Sequence, residues 1–218
     1  MQNNRRKARL FDLRRLPQDM ARLVCACLVP LYRMKRLTPE GEKYRGFLRG
    51  GAVVAANHSS FQDPFVVGVT FWYRRMFFLV AEIVMVGWLR RLLLKGVGAV
   101  EIDRNGADIE AIRKSVDILK RGHLLTVFPQ GGISHSEDVE AIKSGAVLMA
   151  LQADVPIIPM HIFPAAHWYS RRRVVIGKTI YPKDHITRKF PTTGDIERIT
   201  GVLMAEMNRC TMQQEVAQ

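Results

Sequence analysis

A histidine and a carboxylate lie close together in one short polar loop, Asn57-His58-Ser59-Ser60-Phe61-Gln62-Asp63. A histidine that is hydrogen-bonded to a carboxylate can act as a general base and take the proton of a hydroxyl or thiol. A plainer interpretation stays open at this point, in which His58 is a solvated loop residue and Asp63 only caps a helix. The loop is therefore the first candidate for chemistry, with His58 as the base and Asp63 as its partner.

The sequence around this loop predicts a strand that leads into it and a helix that follows it. Residues 51–56 are small, apolar and partly β-branched, and glycines precede them, which is typical of a buried strand. Asp63-Pro64 is a favoured helix start, with an acidic N-cap and a proline at the first helical position. His58 is thus expected at the carboxyl end of a strand, where α/β proteins usually place their binding residues.

Strands and helices alternate along the rest of the chain. Strands are predicted at 51–56, 77–80, 99–102, 124–128, 156–162 and 173–176, and helices at 83–94, 108–121, 139–153 and 196–210. This order predicts an α/β fold, a single layered domain whose mostly parallel central sheet is flanked by helices. We place this domain at residues 41–218, after an N-terminal segment of residues 1–40.

The N-terminal segment holds much of an unusual positive charge. The chain has 33 Lys and Arg against 20 Asp and Glu, a formal net charge of +13, which points to a membrane surface or a nucleic acid as partner. In residues 1–36, apolar side chains recur between arginines at mostly helical spacing. This pattern predicts a basic amphipathic helix, which can lie in a lipid interface or dock on the protein with a solvated face. No nucleic-acid-binding signature accompanies the charge, so we expect no nucleic acid partner.

Other composition features bear on the compartment. No convincing signal peptide begins the chain, and the apolar run at 23–32 is shorter than the roughly 20 residues that a membrane span needs. The apolar region 65–94 is interrupted by charged residues and is interpreted as core helices and strands. The three cysteines, Cys25, Cys27 and Cys210, form no disulfide framework or metal-ligand pattern, so we expect a reducing cytoplasm and no metal.

Three further segments at or after predicted strands could carry binding groups. Arg104 follows the strand predicted at 99–102, and residues 155–159 form an apolar strand that contains two prolines. Gly131 and Gly132 follow the strand predicted at 124–128, where backbone N–H groups can approach a ligand closely.

In this order the segments resemble the motif blocks of the glycerophospholipid acyltransferase family, whose best-known members are 1-acylglycerol-3-phosphate (lysophosphatidic acid) acyltransferases. Residues 57–63 match the first block, Asn-His-x4-Asp, in full, and Asp103-Arg104 match the end of the second. Residues 155–159 match the fourth block, Val-Pro-Ile-Ile-Pro. Residues 143–146 resemble another segment of the family, Lys-x-Gly-Ala. The resemblance covers residues 50–180.

The third block, Phe-Pro-Glu-Gly-Thr-Arg-Ser in the family, is matched only in part. Four positions agree with it, namely Phe128, Pro129, Gly131 and Ser134, and three depart from it, namely Gln130, Gly132 and Ile133. In the family the Glu and Arg of this block help to bind the glycerol phosphate of the acceptor. If the acceptor is phosphorylated here, its cation must come from elsewhere. Arg104 is the leading candidate, followed by Lys143 and the arginines 171–173.

The resemblance implies a reaction. A fatty acyl chain passes from an acyl thioester, either acyl-CoA or acyl-carrier protein, to the free hydroxyl of 1-acylglycerol-3-phosphate and forms phosphatidic acid in phospholipid synthesis. His58 would be the base and Asp63 the carboxylate that orients it. The residues implied in substrate binding are Asn57, Arg104, Gln130, Gly131, Gly132, Ser134 and Lys143.

The resemblance also implies the setting of this reaction. No cofactor and no metal are expected, and the partners are the membrane phospholipid surface, a lysophospholipid acceptor and the thioester donor. The expected location is peripheral, on the cytoplasmic face of the cell membrane. Two alternatives stay open because of the altered third block: an acyltransferase for another lyso-lipid acceptor, and a non-catalytic lipid-binding relative.

Overall fold

The computed structural model describes residues 16–85, 87–102, 108–130, 136–165, 167, 170–186 and 191–212. The helices are α1 (Leu16–Tyr32), α2 (Asp63–Thr70), α3 (Trp88–Gly96), α4 (Ile109–Lys120), α5 (Ser136–Ala153) and α6 (Thr193–Thr211). The strands are β1 (Lys35–Leu37), β2 (Ala52–Asn57), β3 (Met76–Ala81), β4 (Ala99–Ile102), β5 (Leu124–Gln130), β6 (Ile157–Ile162) and β7 (Arg173–Ile176). Short 3-10 helices lie at Glu82–Met85 and Pro182–His185.

The strands that the structure describes form one seven-stranded sheet in the order β1-β7-β6-β2-β5-β3-β4. The five strands from β6 to β4 are parallel to one another. β7 runs antiparallel to β6, and β1 pairs in parallel with β7. The mostly parallel α/β fold predicted from the sequence is confirmed, and β2, which leads into the His58 loop, lies at the centre of the sheet.

Alternate residues of β2 pack on opposite faces of the sheet, and all six of its residues are buried. Val53 and Ala55 belong to a core with α4, α5 and α6, while Val54 and Ala56 belong to a second core with α2. A strand that is covered on both faces reads as a continuous apolar run, as the sequence of β2 does. The His58 loop therefore follows a fully buried strand at the centre of the sheet.

Helix α1 docks on the body of the protein through its polar side. Asp19 is buried and receives two hydrogen bonds from Arg75, from Nε to Oδ1 and from Nη2 to Oδ2, each of 2.8 Å. Four large apolar residues of the helix are exposed, Leu16, Met20, Leu23 and Val24, whereas Tyr32 at its end is buried. A helix is thus present at Leu16–Tyr32, within the segment where the sequence predicts a basic amphipathic helix, but it holds only one arginine, Arg22, against Asp19, so its basic character is not confirmed. Residues 1–15 lie outside the described residues.

The prediction of one core helix over 83–94 is wrong. A 3-10 helix at Glu82–Met85 and α3 replace it, and Gly87 lies between them with a φ of 90°, a left-handed conformation that ends the first helix. None of the α3 residues is buried. The C-terminal end of α3 meets α1, because a Cβ built on Gly96 would lie 3.5 Å from the Cβ of Pro17.

The other predicted elements are present with shifted ends, and the strands at 99–102 and 173–176 have the predicted bounds. Strand β1 was not predicted; three residues become a strand only because β7 is beside them. It lies before residue 40, so the sheet begins within the segment that the sequence separates from the domain. In the part of the chain that the structure describes, no helix combines the length and apolar character that a membrane crossing requires.

Candidate active site

His58 and Asp63 are in contact at the carboxyl end of β2. His58 Nδ1 lies 3.1 Å from Asp63 Oδ2. The His58 side chain is 35% exposed, whereas that of Asp63 is only 2% exposed. A buried carboxylate therefore holds an imidazole that solvent can reach, which is the arrangement predicted from the loop.

The prediction that Asp63 is the N-cap of the helix is wrong by one residue. Gln62 is the N-cap of α2, and Asp63 is the first residue of the helix. Its carboxylate turns back on the loop, where Oδ2 accepts hydrogen bonds of 2.7 Å from the backbone N–H groups of both Ser59 and Ser60. These bonds fix the loop and, with it, the His58 ring.

The contacts of Asp63 keep its carboxyl group ionised. Burial favours the neutral acid, but the hydrogen bond with His58 and those from the Ser60 and Ser59 amides outweigh it, so the pKa of Asp63 is lowered. An ionised carboxylate can only accept hydrogen bonds, so Nδ1 of His58 carries the hydrogen that points to Asp63. Nε2 then has a free lone pair and can accept a proton from a substrate.

Phe128 supports the imidazole from the neighbouring strand. Its ring lies 4.6 Å from the His58 ring, between centroids, at an angle of 31°. The register of β5 against β2 shifts here, since Ala55 pairs with Val127 and Asn57 pairs with Gln130. One extra residue in β5 makes a bulge next to Pro129, which has no N–H for the ladder. The Phe-Pro pair of the third block thus brings an aromatic ring to the base.

Asn57 joins the ends of β2 and β6. Its Nδ2 donates to the Ile162 carbonyl over 3.0 Å, and its Oδ1 accepts from the Ile162 N–H over 2.6 Å. The side chain replaces a backbone pair of the sheet at the point where β2 turns into the loop. The fourth block runs into β6, so Asn57 ties the first block to the fourth. The predicted substrate-binding role of Asn57 stays a prediction.

The structure describes only some of the other predicted site residues. Arg104, Gly131, Gly132 and Ser134 lie outside the described residues. Gln130 ends β5 in register with Asn57, and Lys143 belongs to α5, but the side chains of these two residues are outside the described part of the structure. Among the described residues, no group of three or more His, Cys, Asp or Glu side chains could hold a metal.

Two further side chains lie at this edge: Arg172, one of the three arginines that the sequence offered as lesser candidates for binding phosphate, and His161, to which the sequence gave no binding role. Arg172 is buried, and its Nη2 donates to Oε1 of Gln62 in the His58 loop. His161, in β6, is half-buried; burial and, to a lesser extent, nearby Arg173 lower its pKa, while Asp63 acts in the opposite direction. The arginine triplet was the only sequence signal for Arg172, and nothing in the sequence says which of its members turns inward.

The fold and the site together define a class of protein: a mostly parallel α/β protein with a hydrogen-bonded histidine–carboxylate pair at the carboxyl edge of its sheet. The Acyltransferase family model matches residues 34–163, and the chain belongs to this family. The matched region begins just before β1 and ends just after β6, so it includes His58, Asp63 and the loops of all four blocks.

Curated relatives and a solved structure are similar to this chain. It is 31% identical over 110 residues to the 1-acyl-sn-glycerol-3-phosphate acyltransferase of Bacillus subtilis, which covers 50% of this chain and 54% of the relative. It is 31% identical over 129 residues to a probable 1-acyl-sn-glycerol-3-phosphate acyltransferase of Mycoplasma pneumoniae, covering 56% of this chain and 48% of that protein. The chain thus spans about half the length of the curated relatives it matches.

The fold is similar to that of the 1-acyl-sn-glycerophosphate (LPA) acyltransferase PlsC from Thermotoga maritima. The two superpose with a TM-score of 0.56 at 16% sequence identity, over 92% of this chain and 80% of the other. At this identity the likeness concerns the fold, and it includes the sheet that carries the His58 loop.

Proposed function

We propose that this chain transfers a fatty acyl group from an acyl thioester to the free hydroxyl of 1-acylglycerol-3-phosphate and forms phosphatidic acid. The observation that carries the proposal is the contact of His58 Nδ1 with the buried Asp63 carboxylate at 3.1 Å, in a chain of the acyltransferase family. The names of the relatives support the acceptor, and acyl-CoA or acyl-carrier protein would be the donor.

The proposed chemistry begins with His58. Asp63 accepts the hydrogen of Nδ1, so Nε2 takes the proton of the acceptor hydroxyl as its oxygen attacks the thioester carbonyl carbon. The tetrahedral intermediate then collapses with cleavage of the carbon–sulfur bond. The imidazolium returns its proton to the leaving thiolate, so the products are an ester and a thiol. Proton transfer by a positioned base is worth about 10²–10⁴-fold in rate.

The remaining roles follow the family blocks. The backbone N–H groups of Gly131 and Gly132 would stabilise the oxyanion of the intermediate. Gln130, Ser134, Lys143 and Arg104 would bind the acceptor, and Asn57 would position the loop. No metal or organic cofactor takes part in this scheme, because the thioester already activates the carbonyl group.

The outward apolar faces of α1 and α3 support a location at a membrane surface. In α3, Trp88 is 78% exposed and Leu92 and Leu93 are each 62% exposed. Soluble proteins rarely expose a contiguous apolar patch of this kind unless it binds something. The helix also carries Arg90, Arg91 and Lys95, which suit anionic lipid headgroups, although Arg91 and Lys95 pair with Glu101 in the structure. A peripheral position on the cytoplasmic face of the membrane would bring the edge with His58 to an acceptor that stays in the bilayer.

Substitution of the base tests the proposal. His58→Ala should lower kcat for acyl transfer by about 10²–10⁴-fold, because no other group takes the hydroxyl proton. The assay is thiol release from acyl-CoA with 1-acylglycerol-3-phosphate, with the product identified by its mass. His185→Ala is the matched control, since His185 lies in the 3-10 helix Pro182–His185, which packs near the amino end of β6.

Three outcomes decide the test. Loss of turnover in His58→Ala with an unchanged unfolding midpoint supports the proposal, and undiminished turnover excludes His58 as the base. A panel of other lyso-lipids checks the acceptor, and a clear preference for one without a phosphate contradicts the acceptor proposed here. Binding of lipid by the wild-type protein without any thiol release favours the non-catalytic relative.

A further inference from the structure

Arg172 is a buried cation that has no counter-charge among the described residues. Its residue is only 4% exposed, its Nη2 donates to the neutral Gln62 side chain, and its Nε has no hydrogen-bond partner. The Tyr32 ring lies 5.7 Å from the guanidinium carbon. Among the described residues, no carboxylate forms an ion pair with Arg172, although ten such pairs occur elsewhere.

This situation is unfavourable for a guanidinium, which stays charged in a protein. Transfer of a charge out of water costs several kcal/mol unless an opposite charge and hydrogen bonds compensate it. Arg75 shows how the same chain compensates a buried guanidinium. It is 5% exposed, and its Nε and Nη2 donate to the two carboxylate oxygens of Asp19. Arg172 has no such partner, so an anion from outside the chain would supply what is missing.

The position of Arg172 connects this unmet charge to the active site. β7 is antiparallel to β6, so its first residues lie at the edge where β6 and β2 end. There Val174 pairs with Ile162, the residue that Asn57 holds. The Arg172 guanidinium reaches the His58 loop itself, because Gln62 directly precedes Asp63.

More positive charge gathers at the same corner of the sheet. β1 begins opposite β7, with Lys35 in register with Arg173. The Arg173 guanidinium lies over the Phe163 ring, 4.0 Å from its centroid, and Arg171 is exposed. The nearest described carboxylate in the loop, that of Asp63, is already engaged by His58 and two serine amides. An anion would therefore meet several cationic side chains here, beside an Asp63 carboxylate whose hydrogen bonds are already used.

We infer that Arg172, oriented by Gln62, binds the phosphate monoester of the acceptor headgroup and supplies the cation that Ile133 lacks in the third block. A planar guanidinium suits phosphate oxygens, because two of its N–H groups can donate side by side. The inference rests on the proposed function and names its substrate-binding residue. Arg172 lies outside the four family blocks, so it would be a specificity feature of this chain.

The first test needs no turnover and uses glycerol 3-phosphate as the probe. Added glycerol 3-phosphate should raise the unfolding midpoint of the wild-type protein, with ionic strength matched by NaCl, and glycerol should not. In Arg172→Gln the rise should disappear. Arg113→Gln is the matched control, since it removes one positive charge from an exposed position on α4 and should keep the wild-type response.

The same variants separate a binding role from a structural one. If Arg172 only supports the fold, Arg172→Gln lowers the unfolding midpoint without ligand. A residue kept for binding should behave in the opposite way, because removal of an uncompensated buried charge leaves that midpoint equal or higher. Gln62→Glu sharpens this test: it places a carboxylate beside Arg172, so it should raise the midpoint and suppress the response to glycerol 3-phosphate.

Kinetics then assign the phosphate to the acceptor rather than to coenzyme A. Arg172→Gln should raise KM for 1-acylglycerol-3-phosphate about 10- to 100-fold, the loss expected for a charge-assisted hydrogen bond. KM for acyl-CoA should change less than about twofold on the same reasoning, because the donor phosphates do not meet Arg172. Arg172→Lys should have a KM for 1-acylglycerol-3-phosphate between those of the wild type and Arg172→Gln, since lysine keeps the charge but lacks the planar guanidinium.

Several results would overturn the inference. They are an unchanged KM for the acceptor, a rise confined to the KM of acyl-CoA, and a response to glycerol 3-phosphate that survives in Arg172→Gln or is absent from the wild type. Absence of acyl transfer in the wild-type protein would instead refute the proposed function. The binding test with glycerol 3-phosphate would still decide the role of Arg172.

Discussion

Helices α3 and α4 have similar amphipathic sequences but face different surroundings. α4 turns its apolar side to the sheet and buries Ala111, Val116 and Leu119. α3 buries none of its residues and presents Trp88 and its leucines to the outside. Helical periodicity therefore creates an apolar stripe in both, but the rest of the fold decides whether that stripe meets a core or a free surface.

Helix α1 extends this difference to the two faces of the sheet. On the side of α4, α5 and α6 the helices stabilise the fold through apolar contacts. On the other side, α1 is attached through buried Asp19 and leaves Leu16 and Leu23 exposed, and its first turn lies next to the end of α3. The comparison separates helices that stabilise the fold from helices that we expect to contact lipid. The following experiments test this distinction.

The largest effect is expected at the attachment of α1. Asp19→Ala leaves Arg75 buried without its carboxylate, and loss of one partner of a buried pair costs about 3–5 kcal/mol of unfolding free energy. Urea unfolding measures it. Glu110→Ala is the control, because it removes an exposed pair with Lys114 on α4 that is worth about 0.5 kcal/mol or less. Equal effects would mean that α1 is not held by its polar side.

Substitution of one leucine in α4 and one in α3 compares how much each helix contributes to the unfolding free energy. Leu119→Ala empties a position that is 1% exposed and should lower the unfolding free energy by about 2–5 kcal/mol. Leu92→Ala changes a leucine that is 62% exposed, and its effect should stay within about 0.5 kcal/mol. Both are read from urea unfolding of the purified chain. A large effect at Leu92 would place α3 in a core.

Low pH should weaken the stabilisation that Asp63 provides at the start of α2. The pKa of this carboxyl is lowered on folding from its ordinary 3.8, so its stabilisation is present above that value and is lost as pH falls through the folded pKa. Asp63→Asn should therefore be less stable than the wild type at neutral pH, by about 1–3 kcal/mol for the lost hydrogen bonds. The difference should shrink below pH 4, and urea midpoints across the pH range would show whether it does.

The smallest effect concerns lipid binding by α3. Leu92→Ala should weaken partitioning into anionic phospholipid vesicles about tenfold, since it removes buried methylene groups worth about 0.8 kcal/mol each. Ile109→Ala, an exposed apolar change on α4, is the matched control and should leave partitioning unchanged. Trp88 emission should shift to the blue on vesicles in a Trp72→Phe, Trp168→Phe background. An unshifted Trp88 would show that α3 stays in water.

The active-site pair could be predicted because its geometry is local. His58 and Asp63 are separated by one strand exit and one helix start, and both of these have clear sequence signals. The motif blocks gave the order of the loops around them. Phe128 and Asn57 were in these blocks, but their contacts could not be predicted. The contact of Phe128 with His58 depends on the β5 bulge, and the hydrogen bond of Asn57 to Ile162 depends on the pairing of β2 with β6.

The alternation of strands and helices was enough to predict a mostly parallel α/β sheet with His58 at its carboxyl edge, because the pattern of each element depends on neighbours in the chain. Only the tertiary structure decided that Arg172, 110 residues from Gln62, turns inward beside it. It also decided that α1 docks by its polar side and that β1 exists at all. Contacts of this kind join distant segments, and the energy that selects them arises only when the sheet brings those segments together.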